Sequence, residues 1–102
     1  MKRIIAIFAL AANIATPVLA EEHRVTIRNM AFKPKSLDVV AGDTIVFVNA
    51  GRAPHTATAS SGAFDTGRIR PGEAVRVTIN GSGGIDYFCD YHPSMRGRMA
   101  VN

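Results

Sequence analysis

An all-β fold, a small Greek-key β-sandwich of about seven or eight short strands, is what this sequence predicts, on three observations. Apolar and polar residues alternate with a period of two in several short runs, the pattern of strands buried on one face. Glycine and proline recur between those runs, at Gly42, Pro71-Gly72 and Gly81-Ser82-Gly83-Gly84, where turns need left-handed or pre-set backbone angles. No stretch after residue 20 carries the apolar period of a helix. Strands at this spacing suit two packed antiparallel sheets, and 102 residues allow one domain.

Val25 and Ile27 share one face of a first strand, and Leu37 and Val39 one face of a second. Ala41-Gly42-Asp43 then turns the chain into Thr44-Ile45-Val46-Phe47-Val48, apolar enough for a central strand. A loop through Gly51 and Pro54 leads to a short strand from His55, and residues 60–70 read as irregular. In the segment 74–79, Val75, Val77 and Ile79 alternate with Arg76 and Thr78. Residues 85–89 and 98–101 make the last two strands. Met99 alternates with Val101 and is expected in the core, as is Met30. Tyr87 has the same strand parity as Cys89, so both are expected to point inward, the Tyr87 hydroxyl with a hydrogen-bond partner.

Residues 1–20 read as an export signal. Lys2 and Arg3 precede an apolar run over 4–12, and Val18-Leu19-Ala20 places small side chains three and one residues before a cut. The run is shorter than the roughly 20 residues of a membrane span. The expected product is a domain over 21–102, a monomer with no integral span, in the periplasm or another exported space. Cleavage removes two bases and no acid, lowering the formal charge from +4 to +2. The remaining basic residues are dispersed, which argues against a nucleic-acid binder. Arg52, Arg96 and Arg98 flank the candidate site in sequence and read as solvated surface charge.

An exported chain meets an oxidising space in which cysteines normally pair, yet Cys89 stands alone. A lone thiol there is an intermolecular bridge, a nucleophile or a metal ligand, and no base with an oxyanion site is legible for a nucleophile. His92 follows Cys89 by three residues and Met95 follows His92 by three, while His55 lies upstream between Pro54 and Thr56. One soft thiolate, two imidazole nitrogens and a thioether form the donor set of a blue-copper centre: a trigonal plane of Cys89, His55 and His92 with a long axial Met95. Such a set suits Cu(I) and Cu(II) comparably, and four protein donors leave no open position for substrate. One-electron transfer is therefore expected and catalysis is not. The same ligands allow an alternative, a periplasmic copper carrier or buffer that delivers metal to another exported protein.

The succession Met30-Ala31-Phe32-Lys33-Pro34, Ala41-Gly42-Asp43-Thr44, Asn49, Pro54-His55 and Tyr87-Phe88-Cys89 resembles the cupredoxin family over essentially everything after Glu21. The short interval from Cys89 to Met95, followed by Arg96-Gly97, looks like the ligand loop of amicyanin-like members, whereas plastocyanin-like members space the axial methionine further out. The resemblance implies His55, Cys89 and His92 as equatorial copper ligands, Met95 as the axial one, and transient redox partners of dehydrogenase or cytochrome type. Thr56 stands where many members carry an asparagine that ties the two ligand segments together, a task its hydroxyl can take up. Asp90, Tyr91 and Ser94 replace the residues usual in the amicyanin loop, which leaves every ligand in place but alters the surface presented to a partner such as methylamine dehydrogenase.

His92 is the expected electron port, with Ala53, Pro54 and Pro93 as a small apolar docking patch and Tyr91 packed over the loop. After cleavage the terminus would read Glu21-Glu22-His23, whose amine, backbone nitrogens and imidazole can form a square-planar site for Cu(II) or Ni(II). A frayed terminus entering the first strand is the plainer expectation for His23.

Overall fold

The computed structural model describes residues 19–102. The leader reading falls almost wholly outside them. Among the described residues there is no helix; eight strands run β1 (Glu22–Arg28), β2 (Ala31–Lys33), β3 (Ser36–Val39), β4 (Thr44–Asn49), β5 (Thr58–Ala59), β6 (Ala74–Thr78), β7 (Gly83–Phe88) and β8 (Arg96–Val101). They form two four-stranded sheets, ordered β2-β1-β4-β6 and β3-β8-β7-β5. The sandwich is as expected, but its pairing is mixed rather than wholly antiparallel. β1 runs parallel to β4, and β3 parallel to β8. A tight hairpin cannot join parallel neighbours, and the chain visits the other sheet through β3 before β4 returns beside β1.

β4 is central in its sheet and its Ile45, Val46 and Phe47 are all buried, as an apolar run without alternation requires. Val25 and Ile27 of β1 and Met99 and Val101 of β8 face the same core. Tyr87 sits at its middle, with ring centroids 4.8 Å from Phe32, 5.6 Å from Phe47 and 5.8 Å from Phe64. Burying each such side chain contributes roughly 1.5–3 kcal/mol. Tyr87 is paired in register with Gly97, and a Cβ at Gly97 would lie 2.3 Å from the tyrosine Cζ. The ring therefore occupies the space where a side chain would stand. Contrary to expectation, the Tyr87 hydroxyl has no hydrogen-bond partner among the described residues, and burial pushes its phenol up to about 12.

Three further boundaries depart from the sequence reading. β2 is three residues long, too short to show an alternation. Gly83 and Gly84 extend β7 rather than turning, because they pair with Val101 and Ala100. Met30 is half-exposed, not core. It follows Asn29 in the two-residue connection between β1 and β2, and both have positive φ, 52° and 58°, the signature of a type I′ hairpin turn. That turn aims the Met30 side chain outward.

Candidate metal centre

β7 ends at Phe88 and β8 begins at Arg96, so the intervening loop is held at both ends by one antiparallel pair. Within it the backbone folds twice. The His92 amide donates to the Cys89 carbonyl at 3.1 Å, and the Met95 amide to the His92 carbonyl at 2.8 Å. The Cys89 amide donates to the Met95 carbonyl at 3.1 Å and closes the ring. A three-residue spacing, repeated, thus puts Cys89, His92 and Met95 at the corners of two successive turns. Cys89 and Met95 are buried, while His92 is half-buried between exposed Tyr91 and Pro93. Tyr91 is 49% exposed, so it does not pack over the loop as the sequence reading expects.

His55 comes from the other half of the chain. It is not inside a strand proper; an isolated bridge with Ile69 holds it, the His55 amide donating to the Ile69 carbonyl at 3.1 Å and the Ile69 amide back at 2.7 Å. Asn49, fully buried at the end of β4, fixes the approach. Its Nδ2 donates to the carbonyls of Ala53 and Ile69, both at 2.8 Å, and its Oδ1 accepts from the Gly51 amide at 2.9 Å. A Cβ at Gly51 would stand 3.5 Å from His55 Nε2, so the loop backbone lies close against the imidazole. Sequence reasoning passed over this role of Asn49; the signal was an amide residue ending an apolar strand two positions before a glycine, a local Asx-turn pattern.

The two segments meet at Thr56. Its amide points to Cys89 Sγ at 3.3 Å, and its hydroxyl accepts from the Asp90 amide at 2.9 Å. The expected tie between ligand segments is therefore present, made by a threonine. Cys89 Sγ lies 3.7 Å from His55 Nδ1, and the His55 and His92 ring centroids are 5.3 Å apart at 54°. Burial, and secondarily the neighbouring His92, hold the His55 imidazole below its ordinary 6.5. It therefore stays neutral at pH 7, with a ring-nitrogen lone pair free to ligate.

These residues fit a soft first-row ion. A nitrogen and a sulfur bound to one ion at about 2.0 and 2.3 Å, about 120° apart, are about 3.7 Å from one another, which is the separation His55 Nδ1 and Cys89 Sγ already have. Among the described residues no three His, Cys, Asp or Glu side chains close on one point as they stand, so completing the set asks for a side-chain adjustment, for which half-buried His92 has room.

With Ala20 attached the Glu21 nitrogen is an amide, and it donates to Asp43 Oδ1 at 2.9 Å. Glu22 and His23 lie in the β1–β4 register, and His23 Nε2 is held 2.8 Å from Asp43 Oδ2. This segment is not frayed. Met99 is fully buried in the core.

Comparison with known proteins agrees with the fold. A family model described as a cupredoxin-like domain matches residues 3–101. An amicyanin of Paracoccus versutus is 33% identical over 92 residues, spanning 85% of this chain and 70% of the relative. A plastocyanin of Vicia faba is 32% identical over 88 residues, spanning 72% and 89%. The solved structure of a reduced amicyanin variant superposes with a TM-score of 0.73 at 28% identity, covering 79% of this chain and 82% of the other. An eight-stranded sandwich that brings a lone buried cysteine against a buried histidine, matched nearly end to end by this domain, belongs to the cupredoxin-like family, and the chain is accordingly a single-copper electron carrier and not an enzyme.

Proposed function

We propose that His55, Cys89, His92 and Met95 hold the copper, and that His92 is the point at which electrons enter and leave. The observation that carries this reading is the doubly turned loop from Cys89 to Met95, laced by three backbone hydrogen bonds and joined through Thr56 to the segment bearing His55. When bound, copper supplies a one-electron couple. The chain supplies a fixed, mostly dry cradle. His55, Cys89 and Met95 are closed off from water, and their backbone positions are set by the sheets, so little reorganises as charge changes. The imidazole of His92 is the ligand side chain with an edge toward solvent.

Exposed Pro93 and half-exposed Tyr91 flank His92 in the chain, and half-buried Ala53 and exposed Pro54 precede His55, whose ring centroid is 5.3 Å from that of His92. Arg28, Arg52 and Met30 line an open cavity of about 430 Å³ on the His55 side. An apolar spot with a basic flank suits brief contact with redox proteins of dehydrogenase or cytochrome type, whose interfaces are small. The leader over 1–20 supports work outside the cytoplasm. Among the described residues no helix is long and apolar enough to cross a membrane.

Visible and electron-spin-resonance spectra of the copper-loaded protein test the ligand set. Intense thiolate-to-copper charge transfer with a narrow hyperfine splitting is expected, and Cys89→Ser abolishes both. A saturated, oxidised protein that stays colourless overturns the assignment. Retention of Cu(I) against a chelator through repeated redox cycles separates electron shuttling from copper delivery.

A further inference from the structure

At the end of β4 away from Asn49, Asp43 carries a carboxylate that is 3% exposed. It accepts from the Val40 amide at 2.8 Å and from the Glu21 nitrogen at 2.9 Å, and it meets His23 Nε2 at 2.8 Å. A buried carboxylate calls for a cation. Glu21 and Asp38 line the small cavity beside it, with His23 as its sole basic group; no Lys or Arg lines it. The site is thus rich in acid, and its one base is charged only when protonated.

The Glu21 nitrogen is an amide while Ala20 is attached. Hydrolysis of the Ala20–Glu21 bond adds water across it: the new carboxylate leaves with Ala20, and Glu21 keeps an amine that takes up a proton below about pH 8. Leu19 and Ala20 are exposed and outside any strand, so that bond is open to a peptidase. On its other side Glu21 is already gripped, its carbonyl accepting from the Thr44 amide at 3.0 Å. We propose that Asp43 is the receptor for the α-ammonium of Glu21, so that removal of the leader adds a cation beside a buried carboxylate whose one other basic neighbour is His23. The proposal rests on reading residues 1–20 as a cleaved signal.

Two measurements test it separately. The intact mass of the full chain, exported with its own leader and purified, is expected to begin at Glu21; retention of residues 1–20, or another start, overturns the leader reading and with it the processing step. The copper-loaded chain beginning at Glu21 is then compared with the same chain acetylated at its α-amine, which keeps the N–H donor and removes the charge. At pH 7 and low salt the acetylated form is expected to have a roughly fivefold larger unfolding constant, and Asp43→Asn is expected to erase that difference. The α-amine, followed by NMR in the unaltered chain, is expected to titrate above the ordinary value of about 8. Equal stability of the two forms, or an amine that titrates like a free one, overturns the receptor even where the leader is cut as expected.

Discussion

The backbone amide of Thr56 stands 3.3 Å from the sulfur of Cys89, although 33 positions separate them in the chain. A sulfur that receives an N–H here is held against the His55 segment before any ion arrives. The Thr56 hydroxyl makes the second tie, to the Asp90 amide. Thr56→Val keeps the branched shape and removes that tie, leaving the Asp90 amide without its protein acceptor. A loss of about 1 kcal/mol in urea unfolding is expected, together with faster transfer of Cu(I) to a chelator, while Thr56→Ser retains both properties.

Gly97→Ala places a methyl group where the Tyr87 ring already lies. The ring cannot retreat, since Phe32, Phe47 and Phe64 surround it. Overpacking of this kind typically costs about 1–3 kcal/mol, so a clear drop in thermal midpoint is expected by calorimetry.

Tyr87→Phe should behave in the opposite sense. The hydroxyl is buried without a partner, so removing it relieves a desolvation cost and leaves the ring packing intact. Unchanged stability or a gain of up to about 1 kcal/mol is expected, and a loss beyond that would mean the hydroxyl is satisfied in solution.

Hydrogen bonds from the Val40 amide, the Glu21 nitrogen and His23 lower the Asp43 carboxyl from 3.8 to about 2. The unfolded chain therefore binds the proton more readily than the folded one. Stability from this group is complete above about pH 4 and declines as pH falls toward 2. Asp43→Asn should flatten that part of the stability-versus-pH curve, measured by urea midpoints at successive pH values.

Copper loading should raise the unfolding midpoint, because an ion that binds the folded chain alone stabilises it by mass action, by about 2.7 kcal/mol at 100 times its dissociation constant. His55→Ala should remove most of that gain, since the clip between the two halves of the chain is then open. Thermal scans with and without metal check this.

Much of the molecule could be read before its structure was seen, where one residue type at one spacing has one physical solution. The alternation in 74–79 and the apolar run of β4 gave strands of the right face and depth. The three-residue intervals from Cys89 to Met95 gave the shape of the loop, because each interval is a single turn. What escaped depends on distant partners. Parallel pairing of β3 with β8 leaves no local mark, β2 is too brief to alternate, and the outward Met30 follows from a backbone twist at Asn29 and Met30 that neither residue type advertises. His55 looked like a strand residue because its bridge to Ile69 imitates one. The Tyr87 hydroxyl defied a sound general rule, since nothing in the sequence reveals that three phenylalanine rings and a glycine would crowd its ring.

β8 is not at the rim of its sheet but inside it, between β3 and β7. Neither neighbour can complete its ladder without it, and the loop from Cys89 to Met95 hangs between β7 and β8. A fault in β8 is therefore felt on both sides at once and at the loop it anchors, so that this half of the sandwich should open as one cooperative unit.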